Sequence, residues 1–259
     1  MLNNIFAIVI LFSLLTTSAM ASPEGKSVFI VGYGSLMLSL TRTVTAPDVA
    51  DQTLIPVRIN GYERSWNLWL EQYDMRMLAA EEKSGRFVNG LAYRVNPHDL
   101  WRFDAREGHR HYRRIRLPLS AVELYNPQDS RWFFEHSDEV EVYMYVALKH
   151  DISDGGNYLG NGYDHMNKKI TRSYLDVVLA GCMEVDDRNQ LNGRFIGDCH
   201  ISMGLRKHHI DDDRQKPRYP RAPANLLDSA RKRVRELEDY LDQDWTTYMN
   251  RMNTVCESS

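Results

Sequence analysis

Ser27-Val28-Phe29-Ile30-Val31-Gly32-Tyr33-Gly34-Ser35-Leu36 is the stretch from which the fold is read. Ser27 to Val31 is β-branched and aromatic, the composition of a strand. It runs straight into Gly32-Tyr33-Gly34. Glycines at a strand end permit positive φ and let the backbone approach a ligand closely. Successive N–H groups in such a turn can cradle a carboxylate or a developing oxyanion. The same pattern also makes an ordinary tight turn. It is not a dinucleotide fingerprint, because the third glycine and the following helix pattern are missing. Ser35 has no glycine two places after it, so the nucleophile elbow of a serine hydrolase is absent too.

Further strands follow. Val57 to Trp69 reads as one or two strands around Gly61, and Val88 to Val95 as another. In Tyr112 to Leu119, Ile115 and Leu117 alternate with Arg114 and Arg116. Val140 to Leu148 places Val140, Val142, Met144 and Val146 on one face. Helical signals are fewer. Pro97 to Asp104 is short, with Asn96 or Pro97 at its start. Thr171 to Cys182 sets Tyr174, Val177, Val178 and Gly181 at three- and four-residue spacing. A mostly stranded chain with short helices suits an α+β fold: a small mixed β-barrel with helices packed outside.

The second informative motif is Phe103-Asp104-Ala105-Arg106-Glu107-Gly108, then Tyr112-Arg113-Arg114. A helix is expected to end near Gly108 and a strand to begin near Tyr112. Glu107 then projects from a helix-to-strand junction, where a buried carboxylate can exchange protons near neutral pH. The competing reading is a surface glutamate paired with Arg106, Arg110 or Arg113. Arg110, Arg113, Arg114 and Arg116 form a basic stripe, either a solvated face or a receptor for a substrate carboxylate.

Taken together and in order, these pieces resemble the γ-glutamylcyclotransferase family. Tyr-Gly-Ser-Leu at 33–36 is followed by Asn60-Gly61-Tyr62-Glu63-Arg64-Ser65-Trp66, Gly90-Leu91-Ala92-Tyr93-Arg94-Val95, Arg106-Glu107-Gly108, Val142-Tyr143-Met144-Tyr145-Val146, and Tyr174-Leu175 with Gly181-Cys182. The resemblance spans about Val28 to Glu184. It implies a small barrel with flanking helices and an intramolecular reaction: the substrate's α-amino group attacks its own γ-glutamyl carbonyl, releasing 5-oxoproline and an amino acid or amine. By the same resemblance Glu107 is the general acid and base. Tyr33, Gly34, Ser35 and Leu36 hold the γ-glutamyl group, and Tyr112 and Tyr174 stand near the pocket. Neither a metal nor an organic cofactor is implied. Asn157-Tyr158-Leu159-Gly160 resembles a stretch of the glutathione-specific, ChaC-type branch, while the residues around it do not place the chain there. A non-catalytic module, holding a small acidic ligand or a protein partner in the same pocket, is the rival from another class.

Composition narrows the setting. The chain has 259 residues and a net charge of -3, which argues against non-specific nucleic-acid binding. Ile5 to Leu15 is an apolar run broken by Ser13, too short to span a bilayer, and Ala19-Met20-Ala21 offers small residues at a cleavage site. Residues 1–21 are therefore expected to be a signal peptide cleaved after Ala21. The mature protein would be secreted or periplasmic, with no membrane segment. The domain proper is expected over 22–210 and a Pro-rich linker over 211–224. A helix over 225–259 carries Leu227, Val234, Leu237, Leu241 and Trp245 on one face. That face either packs on the domain's own core or pairs two copies of the chain. The three cysteines, Cys182, Cys199 and Cys256, allow three single bridges or none. Cys182 and Cys199 flank one candidate hairpin. His109-x-His111 and His208-His209 lack a completing carboxylate or Cys at ligand spacing.

Overall fold

The computed structural model describes residues 27–49, 54–108, 111–130, 140–148, 170–203 and 210–219. The expected signal segment, the helix expected from 225, the 157–160 stretch, His109, Arg110, His208, His209 and Cys256 lie outside those residues.

The strands are β1 (Ser27–Gly32), β2 (Leu54–Leu70), β3 (Met75–Val95), β4 (Tyr112–Leu117), β5 (Val122–Leu124), β6 (Val140–Ala147), β7 (Ile170–Thr171) and β8 (Ile210–Asp211). The helices are α1 (Ser39–Thr45), α2 (Leu100–Glu107), α3 (Arg172–Arg188) and α4 (Arg194–Met203). The sheet order is β4-β6-β1-β3-β2-β5, with β7 against β3 and β8 against β7. β1 runs antiparallel to β3, with Ile30 opposite Tyr93, and parallel to β6, with Ile30 opposite Tyr143. β2 and β3 form one long hairpin. Register shifts at Asn60/Tyr62 and Ser65/Leu68 bend it, as bulges do. The result is a mixed, curled half-barrel sheet with helices against it, the fold class expected from the sequence.

Strand alternation sorts side chains into two cores. Phe29, Val31 and Tyr33 of the first strand and its turn join Val140, Val142, Met144 and Val146 inside the curl. Val28 and Ile30 face the other way, toward Phe103 of α2, Tyr174, Leu175 and Val178 of α3, and Phe195 of α4. β3 is covered on both faces, so Val88 to Tyr93 is buried without a break.

Cys182 and Cys199 form a disulfide. The segment they flank is not a hairpin. It is the turn between α3 and α4, and the bridge ties the two helices together. Residues 211–219, expected to open a linker, are docked on the domain. Asp213 accepts from the Ser173 N–H and hydroxyl, both at 2.7 Å. Tyr219 is buried against Tyr174 with ring centroids 4.8 Å apart. No described helix is long and apolar enough to cross a membrane.

Candidate active site

β1 delivers the chain to a tight 3-10 turn at Ser35–Met37, and the turn is fixed from several sides. Arg64, wholly buried on β2, donates to the carbonyl of Tyr33 and to Asn89 Oδ1 at 2.6 Å. Arg42, wholly buried on α1, donates to the carbonyls of Leu36 at 3.1 Å and Met37 at 2.6 Å. Burial lowers the guanidinium pKa of both, that of Arg64 to about 10. Gly32 and Gly34 do not take the positive φ that the sequence allowed them. They serve close approach instead: a Cβ on Gly32 would meet the Leu36 Cβ at 2.6 Å. The turn's own bonds run from Met37 N–H to the Gly34 carbonyl and from Leu38 N–H to the Ser35 carbonyl. Among the described residues nothing accepts from the N–H groups of Ser35 and Leu36.

α2 ends where the sequence indicated. Gly108 takes φ 73° and returns its N–H to the Asp104 carbonyl at 3.0 Å, and β4 starts at Tyr112. Positive φ is cheap for glycine, and it turns the chain straight after Glu107. The Glu107 side chain is 19% exposed, and Arg106 Nε lies 3.2 Å from its Oε1. The pairing that would have made Glu107 an ordinary surface glutamate therefore exists, but inside a cleft.

That cleft encloses about 450 Å³, its open mouth included. Tyr33, Gly34, Ser35, Leu36, Glu107, Tyr112 and Tyr174 all line it, so the seven residues expected at the pocket from the family resemblance come together in one place. Tyr145, Met77, Leu78 and Arg106 line it as well, and nothing in the sequence had placed them at the pocket. β3 organises the phenols. Tyr112 donates to the Leu78 carbonyl at 2.9 Å, Tyr33 Oη accepts from Ala80 N–H at 3.2 Å, and Tyr174 has a backbone hydrogen bond at Leu78. Burial, reinforced by the Glu107 charge, raises the pKa of Tyr33, Tyr112 and Tyr174 far above the ordinary tyrosine value. These phenols are neutral hydrogen-bonding groups at any working pH.

Of the basic stripe, Arg113, Arg114 and Arg116 are not among the residues lining the cleft. Arg114 Nη1 donates to both Asp104 oxygens, at 2.8 and 3.0 Å, and Arg116 reaches Glu141 at 3.5 Å. Asp104 in turn accepts from the Tyr145 hydroxyl at 2.8 Å. Among the described residues no three His, Cys, Asp or Glu side chains gather as a metal site would require.

A carboxylate and a backbone turn lining one tyrosine-walled cleft are the kinds of group that acyl-transfer chemistry uses. No curated protein matches the chain. Similar solved structures include a gamma-glutamyl cyclotransferase with 12% identity, covering 80% of this chain and 99% of its own, at a TM-score of 0.48. An uncharacterized protein from Homo sapiens has 13% identity, covers 64% of this chain and 87% of its own, and has a TM-score of 0.43. A yeast gamma glutamyl cyclotransferase specific to glutathione has 11% identity, covers 71% and 100%, and has a TM-score of 0.37. Residues 30–160, which run from within β1 past β6, match the family described as Gamma-glutamyl cyclotransferase, AIG2-like, and the chain belongs to that family.

Proposed function

We propose that the protein is a γ-glutamylcyclotransferase with Glu107 as general acid and base. The carrying observation is that Glu107 and the Tyr33–Leu36 turn line the same cleft although they come from different parts of the chain. Family membership supports the same reading.

In the proposed reaction the γ-glutamyl carbonyl sits against the turn. Glu107 takes a proton from the substrate's α-ammonium, and the freed nitrogen attacks the γ-carbonyl carbon. A lactam C–N bond forms, and the negative charge on oxygen is met by the Ser35 and Leu36 N–H groups. The original amide C–N bond then breaks as Glu107 returns its proton to the leaving nitrogen, and the ring nitrogen's remaining extra proton is passed on in the same way, so that the amine leaves as an ammonium and the lactam keeps one N–H. The products are 5-oxoproline and a free amine. Ring closure needs a folded substrate, and a narrow tyrosine-walled cleft supplies that orientation. γ-Glutamyl peptides or amines are the substrate class. The Cys182–Cys199 bridge supports work in an oxidising compartment, in keeping with export.

The test is 5-oxoproline release by residues 22–259 from a panel of γ-glutamyl peptides and amines. Release from at least one is expected. A folded protein that releases none would point instead to a binding module built on the same pocket.

A further inference from the structure

Arg106 is where the two halves of the site meet. Its side chain is 4% exposed. Nε donates to Glu107 Oε1 at 3.2 Å, Nη2 to Ser35 Oγ at 3.1 Å, and Nη1 to the Thr41 carbonyl at 2.9 Å and Thr45 Oγ1 at 2.5 Å. One guanidinium thus joins the carboxylate at the end of α2, the turn after β1, and two residues of α1. A planar fork of N–H donors can do this; a lysine ammonium, a single point charge, cannot.

Electrostatics makes the contact more than a brace. Glu107 is the last residue of α2, where the helix dipole disfavours a negative charge. Among the described residues, the groups near it on other elements include Tyr33 after β1, Tyr93 on β3, Tyr112 on β4 and Tyr174 on α3, all kept neutral by burial. Asp104, one turn back, is already occupied by Arg114 and Tyr145. Of the described residues lining the cleft, Arg106 is the cation. It also donates to Ser35 Oγ, which leaves the serine's own proton to be donated elsewhere, and Ser35 faces the cleft.

We propose that Arg106 is the positioning residue of this site: it locks the Glu107 carboxylate to the Tyr33–Leu36 turn, so that base and carbonyl-binding groups are set as one unit anchored on α1. The proposal rests on the reading of Glu107 as acid and base, and it acts through that residue and Ser35.

The test combines an NMR titration with kinetics. Protein labelled with carboxyl-13C glutamate gives the Glu107 titration midpoint, assigned by the signal lost in Glu107→Gln. Arg106→Met is expected to raise that midpoint and to lower kcat about tenfold or more, with a smaller change in KM. Arg106→Lys is expected to hold the midpoint near the wild-type value and to recover part of kcat, because the charge stays while the fork is lost. A midpoint unmoved in Arg106→Met, or a lysine variant no better than methionine in both readouts, would overturn the proposal. Thr45→Val removes one anchor of Arg106 at a helix end and covers the case of a methionine variant that does not fold. It should lower kcat severalfold with the midpoint nearly unchanged, and an unchanged kcat would count against the anchor. If the wild-type protein released no 5-oxoproline while the midpoint still rose in Arg106→Met, the cyclisation reading would fall and the hold of Arg106 on the carboxylate would stand.

Discussion

A methyl group built on Gly34 would stand 3.1 Å from the hydroxyl of Tyr174. The turn after β1 and the first turn of α3 therefore touch at the cleft wall, where a glycine leaves space that any larger residue would take. Gly34→Ala should push the phenol back by a few tenths of an ångström. KM is expected to rise more than kcat falls, while the unfolding free energy changes by only about 1 kcal/mol, the usual size for a single substitution. Steady-state kinetics beside urea unfolding checks this. An unchanged KM would mean that the wall has slack.

Arg64 holds the same turn from beneath. Replacing it with methionine takes the donor from the Tyr33 carbonyl and leaves Asn89 Oδ1 with a long contact to the Ser202 hydroxyl at 3.5 Å inside the core. Each stranded buried acceptor costs about 1–3 kcal/mol, so a loss of roughly 2–4 kcal/mol is expected in urea unfolding. A loss below about 1 kcal/mol would show that the turn keeps its place without the arginine.

Much of this arrangement was legible in the sequence, and the gaps have physical reasons. β4 and β6 alternate, so their periodicity shows, while β1 shows by its β-branched and aromatic composition. The first half of β3 does not. Met75, Met77, Leu78, Ala79 and Ala80 are all buried, because both faces of the strand are covered, and no alternation survives. That half holds the three cleft phenols, so their anchoring was invisible too. α1 is built from Thr41, Thr43, Val44 and Thr45, poor helix formers. Its stability comes from tertiary contacts such as Arg42 under the turn, which no local window reveals. Glu107 was readable through its junction with Gly108. The role proposed for Arg106 was not, since its partners on α1 lie 61 and 65 residues away in sequence.

Alkaline pH offers a different check. Burial raises the pKa of Tyr33, Tyr93, Tyr112 and Tyr174 above the ordinary value of 10.0. Each phenol holds its proton more tightly folded than unfolded. Their contribution to stability is whole below pH 10 and is lost progressively as pH rises above it. Tyrosinate absorbance from these four should appear together with unfolding. Reversible ionisation of all 14 tyrosines near pH 10 in a folded protein would contradict the burial.

The disulfide should matter for stability. It closes a loop with a sequence separation of 17, and a bridge over such a loop is worth about 3 kcal/mol. Reductant is expected to lower Tm of the wild-type protein and to leave a Cys182→Ser, Cys199→Ser double variant unaffected. Identical melting with and without reductant in the wild type would show that the two thiols are not joined.

The central claim is that Glu107 moves the protons of a cyclisation, and the most direct measurement is turnover by Glu107→Gln beside the wild-type protein on the best γ-glutamyl substrate. The amide keeps the shape of the side chain and cannot act as a base. Release of 5-oxoproline should fall by about a hundredfold or more, the contribution expected of a positioned acid–base group, while substrate still binds by calorimetry. Equal turnover by the two proteins would remove Glu107 from the chemistry.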